Sequence, residues 1–370
     1  LDKQISRAEI IFCINKLKNN KSISFDGNSN EMLKSSKSVL VDPLYVLFNS
    51  ILETGTYPST WKHDILTVLH KSSEKDDPNN FRGICTSSCL SKLFNSIFRN
   101  RLDKFCYEGK KVTKYQVSGR KNSRTSDHLM VIRFLIDKYV KKGRKKLYAC
   151  FFDLRKAFNT VDRIMLFHNL LVQYKVGGQF LKTIMDMYKE NKMYVKIQGG
   201  LIAPFATTVG VKQGCVLSPL LFNLFLNKLP DQYDEACEPV IINGKPVHVL
   251  MYADDCVVLS QSANGLRRGI SKTVEHFKSL NLEVNTKKTK VLICNLRGQS
   301  LADDKNHTFV INNKCLDVVS EYTYLGIKLK ASGTFTTAVD ELSSKAGRAW
   351  NSLSTLLFTN KRMHIDRAVK

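Results

Sequence analysis

Two hydrophobic periods alternate along the chain and divide it into elements. Ser6-Arg7-Ala8-Glu9 has the form of a capping box, and Ile10, Ile14 and Leu17 follow it on one helical face. Asn19 to Asn30 is polar, contains Asp26-Gly27 and reads as a loop. Asp42-Pro43 predicts the N-cap and first residue of a second helix, with Leu44, Leu47, Phe48 and Ile51 on one side and Gly55 as its stop. A short apolar strand at Ile65 to Leu69 and a polar loop from Lys71 to Asn80 come next. Order resumes at Phe81-Arg82-Gly83-Ile84, ahead of a helix carrying Leu90, Leu93, Phe94, Ile97 and Phe98. Gln116 to His128 is polar and reads as loop, and Leu129 to Val140 as helix.

From Leu147 the pattern changes. Leu147-Tyr148-Ala149-Cys150-Phe151-Phe152-Asp153 is an apolar run that ends in one acid. Arg163 to Tyr188 is helical with a break at Gly177-Gly178, Met193 to Val209 reads as a hairpin, and Gly210 to Gly214 as a loop. Ser218-Pro219 is expected to cap a strong amphipathic helix from Leu220 to Leu229. A hairpin with a buried body follows around Asp254-Asp255, then a helix with Leu266, Ile270, Val274 and Phe277 on one face, then a strand at Val291 to Cys294. The order strand, helix, two strands, helix, strand predicts an α+β fold of the split βαβ type: an antiparallel sheet with helices on one face.

Composition narrows the class. With 370 residues and 43% hydrophobic positions, the chain is globular and has room for two or three subdomains. No apolar run approaches the ~18 residues of a membrane helix. The chain begins at Leu1 without a signal-peptide pattern and is expected to be an excerpt of a longer polypeptide. Lysine and arginine number 57 against 33 acids, a net charge of +24, which favours a polyanionic partner. Nearly half of that excess lies between Arg101 and Lys146, where 15 basic residues face 4 acids. The ten cysteines sit mostly in apolar runs, without Cys-x-x-Cys or zinc spacing, and predict a reduced, intracellular protein; cytoplasm and nucleus are its expected location.

The candidate chemistry is acidic. Asp76-Asp77 and Asp303-Asp304 lie in polar surroundings and read as loop acids, whereas Asp254-Asp255 sits between Val249-Leu250-Met251-Tyr252 and Cys256-Val257-Val258-Leu259. A carboxylate pair at the tip of a buried hairpin is costly, because burial and like charge both disfavour ionisation, and a divalent cation relieves that cost. An ordinary acidic turn is the alternative reading. In a split βαβ sheet the strand ending at Asp153 neighbours this hairpin. Three carboxylates meeting there would hold two Mg²⁺ ions about 3.5–4 Å apart and run an in-line phosphoryl transfer. Such a site on a basic chain points to a nucleic-acid polymerase.

The ordered motifs then become specific. They are Leu17-Lys18-Asn19-Asn20-Lys21 through Asp26-Gly27, Trp61-Lys62 to His70-Lys71, Phe81-Arg82-Gly83-Ile84, Phe152-Asp153-Leu154-Arg155-Lys156-Ala157-Phe158, Gly210 to Pro219, Tyr252-Ala253-Asp254-Asp255, Asn285 to Lys290, and Tyr324-Leu325-Gly326-Ile327. In this order, over roughly residues 5 to 330, the chain resembles the reverse transcriptases of non-LTR (LINE-type) retrotransposons. The resemblance implies a right-hand polymerase: an N-terminal extension over 1–50, fingers and palm over 51–330, and the start of a helical thumb over 331–370. It implies an RNA-directed DNA polymerase that extends a DNA primer on an RNA template with dNTPs and two Mg²⁺ ions, Mn²⁺ being an alternative, with no membrane partner.

By the same resemblance, Asp153, Asp254 and Asp255 form the metal triad, with Asp255 the least direct ligand. Phe158 is the steric gate against a ribose 2′-hydroxyl, although it also reads as a core aromatic. Gln213 and Gly214 line the nucleotide and template pocket, Arg82 and less surely Lys71 contact the triphosphate, and Lys288 or Lys287 lies near the leaving pyrophosphate. Tyr324 to Ile327 is the primer grip. Asn159 stands where many members carry an acid, and Gly83 where proline is common. No endonuclease domain or terminal Cys/His motif is present, so this stretch is expected to polymerise and not to integrate. The competing readings are a catalytically silent nucleic-acid-binding domain and an RNA-directed RNA polymerase; the intact triad disfavours the first and Phe158 the second.

Overall fold

The computed structural model describes residues 1–70, 76, 80–120, 122–197, 200–299 and 307–359, with the backbone alone for Arg82 and for 355–359. The capping box forms as predicted: the Glu9 N–H donates to Ser6 Oγ, the Ser6 N–H donates to the Glu9 carboxylate, and α1 (Arg7–Asn15) begins there. Two further helices follow the loop, α2 (Asn30–Ser35) and α3 (Lys37–Thr54). The expected start at Asp42-Pro43 is corrected, since Pro43 lies inside α3. Proline there forfeits one hydrogen bond, yet Val41, Leu44, Phe48, Ile51 and Leu52 are buried on both sides of it, and that packing outweighs the local cost. Asp42 is no cap and instead accepts from Arg7 at 2.6 Å. Gly55, at φ +67°, ends the helix in the left-handed conformation that favours glycine.

A first sheet begins with the hairpin of β1 (His63–His70) and β2 (Phe81–Thr86), and α4 (Cys89–Glu108) leads away from it. Helix α5 (Thr125–Leu135) starts inside the segment expected to be loop and continues as a π-helical stretch over Ile136–Lys142. Then come β3 (Leu147–Phe152), the single turn α6 (Ala157–Thr160), α7 (Arg163–Val172) and α8 (Gly178–Met187), separated by the expected break. The predicted hairpin is a longer strand β4 (Asn191–Ile197) that pairs with both β5 (Gly200–Leu201) and β6 (Phe205–Thr207). Its other edge joins β1 in parallel, giving the order β2-β1-β4-β5.

Helix α9 (Ser218–Leu226) corrects a second expectation. It is not amphipathic: every residue from Leu220 to Leu226 is buried, which is the mark of a helix surrounded by protein. Ser218 and Pro219 are its first residues, and Leu217 at the N-cap offers no side-chain bond. A small hairpin of β7 (Val240–Ile242) and β8 (Lys245–Val247) precedes the acidic hairpin, β9 (Val249–Tyr252) and β10 (Asp255–Ser260). After α10 (Ala263–Ser279) come β11 (Lys290–Cys294), the ribbon β12 (Val310–Ile311) and β13 (Lys314–Cys315), β14 (Asp317–Val319), the hairpin β15 (Glu321–Tyr324) and β16 (Ile327–Lys330), and α11 (Thr336–Thr359).

The second sheet has the order β14-β11-β3-β10-β9, with β3 antiparallel to both β10 and β11. That is the split βαβ arrangement expected of β3, β9, β10 and β11, with β14 added in parallel at one edge. The expectation of helices on one face alone does not hold. Tyr148, Cys150 and Phe152 face α9 and α10, while Leu147, Ala149 and Phe151 face α5, the π-helical stretch and the β15–β16 hairpin. The reason is visible in β3: all six residues are buried, so both faces need a covering layer.

Arg101 on α4 ties the N-terminal segment down, donating to Glu9 at 2.7 Å and to the carbonyls of Leu1, Lys3 and Gln4. Burial raises the Glu9 carboxyl, but hydrogen bonds from Arg101 and Ser6 outweigh it and bring the group down to about 2. Its stabilising contribution is therefore full above the ordinary value of 4.5 and is lost as pH falls toward 2. Urea unfolding of wild type and Glu9→Gln should show a stability difference at pH 6 that shrinks as pH falls through that window; a pH-independent difference would refute the linkage.

Candidate active site

The acids are placed by strand pairing. In the β3–β10 ladder Phe152 faces Cys256, so the register brings Asp153, one residue beyond β3, level with Asp255 at the start of β10. Tyr252 pairs with Asp255, leaving Ala253 and Asp254 as a two-residue turn, with Ala253 at φ +53°. Burial first, and then the charge of Asp153, raise the Asp254 carboxyl; burial, Asp254 and Asp153 push Asp255 up to about 6. Three carboxylates thus share one sheet edge, and their negative forms disfavour one another. Among the described residues no three His, Cys, Asp or Glu side chains are placed so that together they could hold a metal ion, so any cation at this edge would need waters or substrate oxygens to complete its shell. Oxygen donors at an open edge suit Mg²⁺ or Mn²⁺, since Mg²⁺ usually keeps several waters and is seldom caged wholly by protein.

A polar turn is laced to the first acid. The Asn285 N–H donates to the Asp153 carbonyl at 2.8 Å, and the Asp153 N–H donates to Thr289 Oγ1 at 3.2 Å. Thr289 is buried, while Lys287 and Lys288 are exposed on the same turn, whose Lys288 N–H donates to the Asn285 carbonyl. Thr289 was not legible as a site residue; in sequence it is one more polar position in Asn285 to Lys290.

The loop from Gly210 to Gly214 bridges the two sheets. On one side the Val211 N–H donates to the Phe158 carbonyl and the Gly210 N–H to the Val161 carbonyl, both at 2.8 Å. Gln213 Nε2 donates to Asn159 Oδ1 at 2.8 Å, which ties the loop to the turn after β3. Phe158 is half-buried and stacks on Phe222 of α9, with ring centroids 4.4 Å apart. Gly214, at φ +89°, lies so close to β2 that a Cβ would meet the Cys85 carbonyl at 2.7 Å; no other residue fits. On the other side Lys212 pairs with Asp64 of β1 at 3.2 Å, both nearly fully buried, and Asp64 Oδ1 has no hydrogen-bond partner among the described residues.

The remaining expectations divide. Leu325 and Gly326, both at positive φ, make the tight turn of the β15–β16 hairpin, while Tyr322 stacks on Phe151 at 4.3 Å and Tyr324 meets His128 Nδ1 at 3.1 Å. Arg82 is on β2, paired with Leu69, but its side chain, like all of Lys71, lies outside the described residues. The basic region is partly structural: besides Arg101, Lys111 donates to the Tyr174 carbonyl, Lys138 to the Ile241 carbonyl, and Arg133 and Lys141 pair with Asp137. Lys142, Arg144 and Lys145 are exposed, but they precede β3 and so lie about 20 Å along the strand from Asp153.

The sequence over residues 69–329 matches the family described as "Reverse transcriptase (RNA-dependent DNA polymerase)". The probable RNA-directed DNA polymerase from transposon BS of Drosophila melanogaster is 27% identical over 90% of this chain and 36% of its own length. The RNA-directed DNA polymerase from mobile element jockey of the same organism is 25% identical over 79% of this chain and 31% of its own length. The Retrovirus-related Pol polyprotein from type-1 retrotransposable element R2 of Nasonia vitripennis is 25% identical over 78% of this chain and 28% of its own. The chain therefore spans about a third of the length of these relatives. Among solved structures, telomerase from Candida tropicalis shares the fold at 12% identity and a TM-score of 0.50, covering 79% of this chain and 47% of that one.

Replacing Lys212 by Met should leave Asp64 buried without a counter-charge and cost about 3–5 kcal/mol in denaturant melts, part of it recovered when Asp64→Leu is added. A loss below about 1 kcal/mol would show the pair to be solvated.

Proposed function

The chain belongs to the reverse transcriptase (RNA-dependent DNA polymerase) family, and from that premise we propose that it extends a DNA primer 3′-hydroxyl with dNTPs on an RNA template, as part of a non-LTR retrotransposon protein acting inside the cell. The observation that carries this reading is the β3–β10 register, which sets Asp153 beside the Asp254–Asp255 turn on a strongly basic chain. In this reading the second sheet is the palm, the first sheet and the helices around it the fingers behind an N-terminal extension over 1–50, and α11 the start of the thumb.

Asp153 and Asp254 would hold two Mg²⁺ ions, with Mn²⁺ as the alternative and Asp255 the less direct ligand. When bound, these cations supply the Lewis acidity that favours deprotonation of the attacking hydroxyl and offsets charge on the transferring phosphate. The chain's own residues do the rest. The loop holding Gln213 and Gly214 lines the nucleotide and template pocket, its glycine leaving room for close backbone approach. Phe158, braced by Phe222, excludes a ribose 2′-hydroxyl by bulk, a role compatible with its packing. Lys288, or Lys287 on the same turn, lies near the leaving pyrophosphate as a proton donor, and Arg82 contacts the triphosphate. The hairpin containing Tyr324 to Ile327, seated on β3 through the stack of Tyr322 on Phe151, is the primer grip. The exposed lysines and arginines hold template phosphates.

Primer extension on an RNA template with dNTPs and Mg²⁺ should proceed with wild type and be abolished by Asp254→Asn. RNA binding retained with no wild-type extension would favour a silent binding domain. Phe158→Ala should raise ribonucleotide incorporation; an unchanged ratio removes Phe158 from the gate. RNA affinity should fall steeply between low and moderate salt, with a log–log slope of about one per phosphate contact, and a flat response would contradict backbone binding.

A further inference from the structure

The turn that carries Asp254 is held from outside its own sheet. Strand β9 is the edge of the second sheet, and its outer side is covered by the segment Tyr115 to Val117. There the Met251 N–H donates to the Tyr115 carbonyl at 2.9 Å and the Val117 N–H to the Met251 carbonyl at 3.1 Å. Between them Gln116 is fully buried. Its Oε1 accepts from the Ala253 N–H at 3.0 Å and from the Ser118 N–H at 3.1 Å, and its Nε2 donates to the Ala253 carbonyl at 3.3 Å. Only one orientation of the carboxamide satisfies all three contacts, because two demand an acceptor and one a donor. The clamp closes on Ala253, a non-glycine residue at φ +53°, a backbone conformation that L-residues disfavour. The same segment continues to α9, since the Ser118 carbonyl accepts from Asn223 Nδ2 at 2.8 Å.

We propose that Gln116 is a positioning residue for the cation-binding turn. It holds both backbone polar groups of Ala253 and so fixes the direction in which the Asp254 carboxylate leaves the hairpin. A buried apolar side chain in its place would fill the space but leave the Ala253 and Ser118 N–H groups unpaired, and the turn would relax to satisfy them. The inference rests on reading the acid edge as a divalent-cation site. It goes beyond that reading in naming a residue remote in sequence whose neutral carboxamide, not a charge, sets the geometry of a ligand.

The test is Mn²⁺ binding to the full chain, read from the electron paramagnetic resonance signal of free Mn²⁺, for wild type, Gln116→Met and Asp254→Asn. Gln116→Met should bind Mn²⁺ about tenfold more weakly and need a correspondingly higher Mg²⁺ concentration for half-maximal primer extension, with RNA affinity unchanged. A folded Gln116→Met with wild-type Mn²⁺ affinity overturns the proposal. Wild-type Mn²⁺ affinity in Asp254→Asn instead overturns the reading of the acid edge itself, which keeps the two failures apart. Should Gln116→Met not fold, amide hydrogen exchange on the wild-type chain decides: the Ala253 N–H must exchange at least about tenfold more slowly than the amides of the exposed Asn312-Asn313 turn, and equal rates overturn the clamp.

Discussion

The pairing of β3 with β10 is the constraint on which the rest of the structure depends. It joins a strand whose six residues are all buried to a hairpin whose turn is acidic, and its register decides which side chains share the sheet edge. Slipping the ladder by one residue would turn each side chain to the opposite face, sending Phe151 toward α10 and Phe152 toward the β15–β16 hairpin. The double-sided burial of β3 therefore fixes the acids as firmly as any contact at the site itself. Two layers pin that register: α9 and α10 on one face, α5 with the β15–β16 hairpin on the other.

Around this edge the chain uses backbone hydrogen bonds and buried polar side chains to hold loops that would otherwise wander. The Asn285 to Thr289 turn grips both backbone groups of Asp153, and the Gly210 to Gly214 loop is bonded to the turn after β3. The ion pair of Lys212 with Asp64 joins that loop to the first sheet. Its burial makes it a poor source of net stability, because desolvation offsets most of the attraction, but it specifies one docking of loop on sheet. Gly214 against the Cys85 carbonyl reaches the same end sterically. Among the described residues the two sheets share no ladder, so what aligns them at the site is this loop and the packed helices.

The basic charge is likewise divided by structure. Arg101, Arg133, Lys138 and Lys141 are spent on carbonyls and carboxylates inside the chain, and the uncommitted Lys142, Arg144 and Lys145 sit at the end of β3 away from the acids. A positive run in sequence therefore does not delimit a nucleic-acid footprint, since the long side chains of lysine and arginine also cap and brace.

The sequence by itself determined the elements and the acids. An apolar run ending in Asp153, a hairpin turned at Asp254-Asp255, a capping box at Ser6 and a stop at Gly55 depend on chain neighbours, and local patterning carries that information. It misjudged α3, where burial on both sides of Pro43 overrides the local penalty, and α9, where an apolar stretch with interspersed asparagines looks two-sided until protein surrounds it. Only the tertiary structure decided the parallel union of β1 with β4, the second helical layer, the Lys212–Asp64 pair and the grip of Gln116 on Ala253. The β1–β4 union, the Lys212–Asp64 pair and the grip of Gln116 on Ala253 join residues more than a hundred positions apart, and a buried lysine, aspartate or glutamine looks in sequence like any surface residue until its partner arrives. Burial and pairing are properties of the folded surface, and no local pattern records them.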